Sequence, residues 1–574
     1  MTQIIERQVD LSHCDLPTAY APILRRVLAA RGVNSSHQLD YSLKNLASYH
    51  SLSHIEKAVQ LLAGAITKKK RIVIVADYDA DGATSCTLAI RALRSMGADH
   101  VDFIVPNREK HGYGLTETIV QLSLPLEPDL LITVDNGVAS VAGVKVAKEK
   151  DIRVLVTDHH LPPDVLPEAD AIVNPNLVAD TFPSKHLAGV GVIFYVMLAL
   201  RAFLRERNWF SYRQIPVPNL ADLLDLVALG TVADVVQLDY NNRILVAQGL
   251  ARIRANQCCE GIRALLNVSK REQSTLVTSD LGFAIGPRLN AAGRMDDMRY
   301  GILCLLSDSA EDGLYYAQLL DNFNQERRFV EAEMQQEALN ILASHDADTM
   351  ALPKGMCLLD ENWHQGVIGI VAARIKEKYH RPVIVFTKDD DTFLKGSARS
   401  IQGVHIRDIL DSIATQHPNL ITKFGGHAMA AGLSLPRDNF IAFQEIFAQE
   451  VAKEVSDEDL QGSIFTDGEL AASDFNLQLA EQLRTLTPWG QGFPEPIFSG
   501  RFEILERRVL KGQHLKMTLR PTPESEPIEA IAFNITDEGW ENGVTEVELA
   551  YKLSINFYRG VRSLQLMCEY VYPC

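Results

Sequence analysis

The chain has 574 residues, 47% of them hydrophobic and 22% charged, with a formal net charge of −17. That length exceeds a single hydrophobic core and implies about three or four domains, while the acidic balance argues against broad attraction to polyanions and leaves a local basic groove open. No run of about twenty apolar residues marks a membrane span, the N-terminus lacks a leader pattern, and the eight cysteines show no Cys-x-x-Cys spacing, which excludes a zinc ribbon or disulfide framework and makes a reducing cytoplasm the expected compartment.

Residues 1–50 predict a helix over 22–31, broken by Gly32, Asn34 and Ser35, with no visible chemistry and an expected role in packing onto the first domain. A helix over 55–66 ends in Lys68, Lys69 and Lys70, a solvated helix end or a phosphate contact. The run Ile-Val-Ile-Val-Ala at 72–76 then has the short, β-branched character of a strand buried on both faces of a parallel sheet. It stops at Asp77, Asp79 and Asp81, three acids at alternate positions, followed by Gly82 for a sharp turn and by Thr84 and Ser85 as expected caps of a helix running to Met96. Carboxylates crowded at a strand end repel one another, and hard oxygen ligands favour Mg²⁺ or Mn²⁺ as the ion that offsets the repulsion. A calcium loop fits poorly, because Leu88 stands where the bidentate Glu belongs. A solvated acidic turn explains the composition but not the placement where open α/β sheets bind ligands.

A second strand over 101–105 leads into Pro106-Asn107-Arg108 and His111-Gly112-Tyr113-Gly114, where Arg108 and Tyr113 are candidates to meet a phosphate or a base. A third, over 130–134, ends in Asp135-Asn136-Gly137; after a helix over 139–150 and a strand over 152–156 come Asp158, His159 and His160, and Asn174-Pro175-Asn176 closes another short apolar run. Strands alternating with helices imply a doubly wound parallel sheet, so the acids and histidines at the strand ends converge on one edge. Residues 189–205 read as a core helix, and 221–230 as another that runs to Asp234, a candidate ligand or a helix cap. Over 287–294, Arg288, Asn290 and Arg294 stand among small residues, a setting suited to a phosphate backbone.

Residues 309–344, without proline, predict a long helix joining two lobes. A second α/β unit starts at 356–360, with a helix after Gly369 and a strand over 382–386. Gly396-Ser397-Ala398-Arg399-Ser400 follows, and then Phe424-Gly425-Gly426-His427, whose paired glycines would cradle a phosphate beside an imidazole. Period-two runs over 515–519, 528–533, 547–557 and 564–571 predict a small antiparallel barrel, with Phe533, Phe557, Tyr558 and Tyr570, near Arg559 and Arg562, either stacking bases or filling its core. The expected divisions are 1–50, 51–305, 306–350, 351–458 and 459–574.

The acidic strand end, Asp135-Asn136-Gly137, the Asp158-His159-His160 triplet and Gly425-Gly426-His427 together resemble the DHH phosphoesterase superfamily from about residue 50 onward, the second lobe being similar to its DHHA1 domain and the barrel to an OB-fold. More closely the pattern resembles the superfamily's single-strand-specific DNA exonucleases. That implies degradation from the 5′ end, release of 5′-mononucleotides and a role in DNA recombination and repair. It further implies that Asp77, Asp79, Asp81, Asp135, His159 and Asp234 share two divalent ions, Mg²⁺ or Mn²⁺, that Asp158 orients the neighbouring imidazole, and that His160 lies near the scissile phosphate. Arg108, Arg288, Arg294, Arg399 and His427 would bind the strand or its terminal phosphate, with Tyr113, Asn290, Ser397, Gly425 and Gly426 beside them. Related pyrophosphatases carry a histidine upstream of the acidic pair, where this chain has Val75, and Asp77 is the natural substitute. The implied ligand is single-stranded DNA and the implied partners are a helicase and a single-strand-binding protein, with a monomeric chain and no membrane. Two other readings remain. One is a phosphodiesterase for short oligonucleotides or cyclic dinucleotides, which would not need the extra barrel. The other is a noncatalytic strand-binding scaffold, against which every acid and both histidines of the motif are present.

Overall fold

Ile72–Ala76 forms a strand in which every side chain is buried, as a β-branched run covered on both faces requires. The computed structural model describes residues 3–107, 111–346, 352–538, 540, 543–558 and 560–574; Arg108, Arg559 and the side chain of Tyr558, all expected contacts, lie outside what is described. Contacts divide the chain into two units, one of Glu6–Asn322 with Phe465–Cys574, the other of Phe323–Ile464 with the extreme N-terminus.

In the larger unit the strand Ile72–Ala76 has Val101–Ile104 on one side and Leu130–Val134 on the other, followed outward by Arg153–Thr157 and Ala171–Val173, all parallel. Strand order therefore reverses between Ile72–Ala76 and Leu130–Val134, and open α/β sheets bind ligands at such a switch point. The register sets Ala76 beside Val134, Val134 beside Thr157, and Thr157 beside Val173. The next residues, Asp77, Asp135, Asp158 and Asn174, thus leave the sheet in one row.

The helix after the first strand, Ala80–Ser95, starts earlier than Thr84 and Ser85 suggested. Asp79 is its N-cap and accepts the Gly82 N–H at 2.9 Å, while Thr84 and Ser85 are buried inside it, Thr84 Oγ1 donating to the Asp81 carbonyl at 3.0 Å. Asp outranks Thr as a cap, so the acidic motif supplies the helix start as well as its charge.

The helix Ala310–Asp346 carries the chain into the smaller unit. Its sheet runs in the order Lys423–Gly426, Ala430–Pro436, Phe393–Arg399, Val383–Lys388, Met356–Leu359, with the last pair parallel and the others antiparallel. The Gly425-Gly426 pair ends a strand, and the Gly396-Ser397-Ala398-Arg399 stretch is likewise extended.

The C-terminal barrel is closed by Phe498–Leu510, His514–Arg520, Ile528–Ala532, Val561–Pro573 and Glu546–Tyr558. It is not wholly antiparallel, because Ile528–Ala532 runs parallel to Val561–Pro573. Phe498–Leu510 escaped the period-two reading: a register shift between Ile504 and Glu506 interrupts its alternation. Phe498, Phe502 and Tyr551 fill the core, and Phe533 and Phe557 are exposed.

Residues before the first domain do more than pack on it. Tyr240 Oη donates to the Asp40 carbonyl at 2.7 Å, tying the segment to the sheet domain, and Arg31 forms a bidentate pair with Asp467 (2.8 and 3.0 Å), tying it to the segment that leads into the barrel. Among the described residues no helix is long and apolar enough to cross a membrane, and all eight cysteines are free.

The Arg31 and Asp467 side chains are 2% and 0% exposed. Removing one partner of a buried pair strands the other charge and costs about 3–5 kcal/mol. Asp467→Ala is expected to lower unfolding stability by that amount, measured by urea denaturation, with Asp467→Asn losing less because it still accepts hydrogen bonds.

Candidate metal centre

The row of strand ends must hold carboxylates close together although burial and mutual repulsion both disfavour their charge. Backbone geometry imposes the closeness. Asp135 sits at φ +62°, and Asn136 Nδ2 donates to the Val75 and Val134 carbonyls at 3.1 and 2.9 Å, stitching the two strands at the switch point. Gly137 follows at φ +110°, where a Cβ would lie 2.4 Å from Thr133 Oγ1.

Asp81 accepts the Gly189 and Val190 N–H groups at 2.6 and 2.9 Å, one on each carboxylate oxygen. These residues open the helix Gly189–Glu206, so the acid rests on the positive end of a long helix dipole. A Cβ on Gly189 would lie 2.6 Å from that of Asp135, and only glycine lets this helix approach. Burial, reinforced by Asp79, pushes Asp81 up to about 7. Burial also holds Asp77, Asp135 and Asp234 well above the usual carboxylate range, with Asp79 raising Asp77 further and Asp81 raising the other two. Asp234 enters from the C-terminal end of the helix Leu224–Ala233.

The two histidines are held in opposite states. Asp158 Oδ1 accepts the backbone N–H groups of His159 and His160 and the His160 Nδ1–H, at 2.7, 3.1 and 2.8 Å, and Oδ2 accepts the Val138 N–H at 2.9 Å. Burial works against an imidazolium at His160, but its bond to Asp158 and the nearby acids outweigh that and raise it to about 9. The Tyr113 ring meets His160 edge-on at 5.8 Å, and its hydroxyl donates to the Asp135 carbonyl at 3.1 Å. Burial and the neighbouring His160 charge push His159 down to about 4, and the Leu187 backbone bonds its ring. Neutral His159 therefore turns an unprotonated Nε2 toward Asp135 Oδ1 at 3.1 Å and Asp234 Oδ2 at 3.4 Å.

Neither His159 Nε2 nor Asp135 Oδ1 has a hydrogen-bond partner, although both are buried. With its pKa raised, Asp135 fills this gap with its own proton while the site is ion-free; once that proton leaves, two lone pairs face each other, and a cation between them turns the contact attractive. Ligand atoms converge in three overlapping sets: Asp135, His159 and His160; Asp81, His159 and Asp234; Asp77, Asp79 and Asp135. Carboxylates with an imidazole suit Mg²⁺ or Mn²⁺, and the donor set fits such ions.

Of the other expected contacts, Asn290 Oδ1 accepts the Ala80 N–H at 2.8 Å and so braces the acidic turn. Arg288 is engaged by Asp321 (2.8 Å) and by the Ala284 carbonyl (2.6 Å), and Arg294 lies in the last turn of the helix Gly286–Met295. In the smaller unit the register aligns Ser397 with Gly432 and Gly432 with Gly425. Arg399 Nη1 donates to Ser397 Oγ at 3.3 Å, Gly426 pairs with Ala431, and the His427 N–H donates to the Ala430 carbonyl at 2.8 Å. The bracing roles of Asn136, Gly189, Val190 and Leu187 left no mark in the sequence beyond a glycine and an Asn in motifs read for other reasons.

The sequence matches the DHH family N-terminal domain over residues 71–231, the DHHA1 domain over 352–453 and the RecJ OB domain over 466–570. It is 50% identical over 572 residues to the single-stranded-DNA-specific exonuclease RecJ of Escherichia coli, covering 100% of this chain and 99% of that protein. Identity to the protein of the same name from Bacillus subtilis is 31%, over 96% of this chain and 67% of that one. The fold is similar to the crystal structure of RecJ in complex with Mn²⁺ from Thermus thermophilus, with a TM-score of 0.81, 28% identity, and coverage of 100% of this chain and 79% of that chain. For the corresponding Mg²⁺ complex the TM-score is 0.75 with 27% identity, over 100% and 78% of the two chains.

Acids raised by burial hold protons that an arriving ion must displace. Mn²⁺ binding near pH 7 is expected to release protons, and affinity to rise between about pH 6 and about pH 8 as Asp81, at about 7, deprotonates. Calorimetry in buffers of different ionisation enthalpy counts the protons; a pH-independent affinity would contradict this account of the site.

Proposed function

Because this chain belongs to the RecJ family and is a single-stranded-DNA-specific exonuclease, we propose that it works from the 5′ end, releases 5′-mononucleotides and serves DNA recombination and repair. The observation that carries the metal part of this reading is the close approach of His159 Nε2 and Asp135 Oδ1, 3.1 Å apart and otherwise unpartnered, at the sheet's switch point. Asp77, Asp79, Asp81, Asp135, His159 and Asp234 would hold two divalent ions, Mg²⁺ or Mn²⁺. When bound, such ions supply Lewis acidity and a water acidified toward neutral pH.

The chain's own groups do the positioning. Asp158 locks His160 Nδ1–H, so the imidazolium presents its other N–H as a charged donor to a phosphoryl oxygen. His159 stays neutral through its burial and the nearby His160 charge, while its ring bond to the Leu187 backbone sets its orientation and keeps Nε2 available as a ligand. Hydrolysis forms a bond from the water oxygen to phosphorus and breaks the P–O3′ bond. The 3′ oxygen of the terminal nucleotide leaves with a proton, and the next nucleotide keeps a 5′-phosphate.

Ser397 and Arg399 on one strand of the smaller unit, with Gly425, Gly426 and the following His427 on another that is separated from it by a single strand, would form the second set of groups suited to phosphate, with Arg399 a cation that can take two phosphate oxygens. The exposed barrel aromatics Phe533 and Phe557 extend the strand's contacts by stacking. A barrel of that size serves no purpose for a cyclic dinucleotide, which favours the longer substrate. The reading places the chain in the cytoplasm as a monomer, working with a helicase and a single-strand-binding protein that supply and coat its substrate.

Incubation of 5′-labelled and 3′-labelled strands with Mg²⁺, Mn²⁺ or EDTA tests direction and metal dependence together. Labelled mononucleotide is expected first from the 5′ label, and none in EDTA. Asp77→Ala and Asp135→Ala are each expected to lower hydrolysis about a thousandfold or more, the several kcal/mol a metal centre contributes, while single-strand binding persists. Normal digestion by both variants sinks the metal assignment.

A further inference from the structure

We propose that Phe283, with Val235 beside Asp234, forms a stacking platform for an unpaired nucleobase of the substrate next to the metal centre; this rests on the reading of the chain as a single-strand exonuclease. Phe283 is 83% exposed, whereas Leu281, Ala284 and Ile285 around it are buried. The cause is local. Leu281–Ile285 is a π-helical turn, closed by the Gly286 N–H on the Leu281 carbonyl five residues back. Pro287 has no N–H to offer the Phe283 carbonyl, so an α-helical register cannot pass through this point. The Arg288 guanidinium takes the Ala284 carbonyl at 2.6 Å, and Asp321 fixes that guanidinium in turn. The widened turn thus holds a large apolar ring in water while its neighbours on both sides are packed away.

Its location ties the ring to the chemistry. A Cβ on Gly282 would lie 3.3 Å from Val232 Cγ1, and one on Gly286 would lie 3.1 Å from Ala233 Cβ, the residue that ends the helix delivering Asp234. Further along the same helix Asn290 caps Ala80, and a Cβ on Gly293 would fall 1.9 Å from the Tyr78 carbonyl oxygen. The element carrying Phe283 is therefore keyed without slack to both walls of the acid cluster. Val235, the residue after Asp234, is a β-branched residue at φ +60° and is 62% exposed. Such a conformation persists only where its surroundings impose it, and it clusters at functional sites.

On this proposal a strand with its scissile phosphodiester at the acid cluster passes one of its bases over this exposed ring. An unpaired base offers a free π-face, and stacking on it tolerates any sequence. In a duplex both faces are occupied by neighbouring pairs, so the platform favours single strands by the chemistry of the base rather than by the width of a cleft. One phenyl ring and one valine are too small a patch for a protein partner, whose interface buries on the order of 800 Å² a side.

The test uses the full-length chain with 5′-phosphorylated single strands carrying 2-aminopurine at each of about the first five positions in turn, a range set by the few bases a stacking subsite spans. In the wild type one position is expected to be quenched on binding. Phe283→Ala is expected to remove that quenching and raise KM about tenfold, with the loss falling on KM rather than kcat, in line with the stacking of a single base. Phe283→Trp is expected to restore both, and an abasic site at the quenched position should cost the wild type as much as the Ala variant loses. Mn²⁺ binding and thermal unfolding check that the variants are folded. Wild-type quenching and KM in Phe283→Ala, or a loss that Trp does not rescue, overturns the platform. Failure of the underlying reading looks different, since the wild-type chain would then neither bind nor cleave single strands.

Discussion

Crowding Asp77, Asp79, Asp81, Asp135 and Asp234 around the neutral imidazole of His159 is the interaction the rest of the structure serves. At a separation of 3.1 Å the two acceptors repel as soon as Asp135 gives up the proton that burial favours, and in a buried site neither finds water to relieve it. The imidazolium of His160, held by Asp158, offsets part of the negative charge but faces Asp158 rather than the cluster's centre. The fold keeps this arrangement because its geometry is set by elements stabilised elsewhere: a parallel sheet whose two central strands are fully buried, a helix dipole under Asp81, and an Asn that stitches those strands. Each unsatisfied buried polar atom costs about 1–3 kcal/mol, and a bound ion would return that cost as affinity. Metal binding and local stability are therefore two descriptions of one free energy.

The same economy of parts appears in the helix Gly286–Met295. Its Asn290 was read as a substrate contact, and the structure gives it a partner within the fold, the N–H of Ala80. That bond holds the helix start that Asp79 caps, and so fixes where Asp79 and Asp81 emerge. Arg288, read in the same way, clamps a π-helical turn and reaches Asp321. Polar groups near a metal site divide between those that meet the substrate and those that orient the ligands. A linear pattern of Arg and Asn among small residues does not say which is which, because the partner that decides the role of Asn290 lies 210 residues away in the sequence.

What the sequence made legible follows the same physics. Strands 72–76 and 130–134 were placed to the residue because both faces are buried and the apolar run ends where the acids begin. The convergence of Asp77, Asp135 and Asp158 was legible because a parallel sheet puts all its strand ends on one edge. The cap of the first helix was missed, since Asp79 was counted as a ligand and its second capacity as a cap was overlooked. The strand Phe498–Leu510 was missed because a bulge breaks its period of two, and the parallel pair in the barrel because pairing partners leave no local trace. The opposite protonation of adjacent histidines was illegible altogether. It depends on Asp158 turning to the His160 ring and on the burial of the His159 ring beside that charge.

Electrostatics then orders the events at the site. With a formal charge of −17 on the chain, a phosphodiester approaching the ion-free cluster finds acids that burial keeps largely protonated and no cation to receive it, and each acid that does ionise repels it at a low effective dielectric. The substrate's phosphate is acceptable there only once divalent cations have reversed the sign of the local field, so ion binding has to precede productive strand binding. Coulombic attraction over the whole surface cannot gather DNA for such a protein. The grip on the strand has to come from short-range contacts, a guanidinium on a phosphate and a ring on a base, which are insensitive to the net charge of the molecule that presents them. An acidic protein that works on a polyanion is consistent on those terms if the acids serve as ligands of its ions and if stacking and local cations supply its hold on the strand.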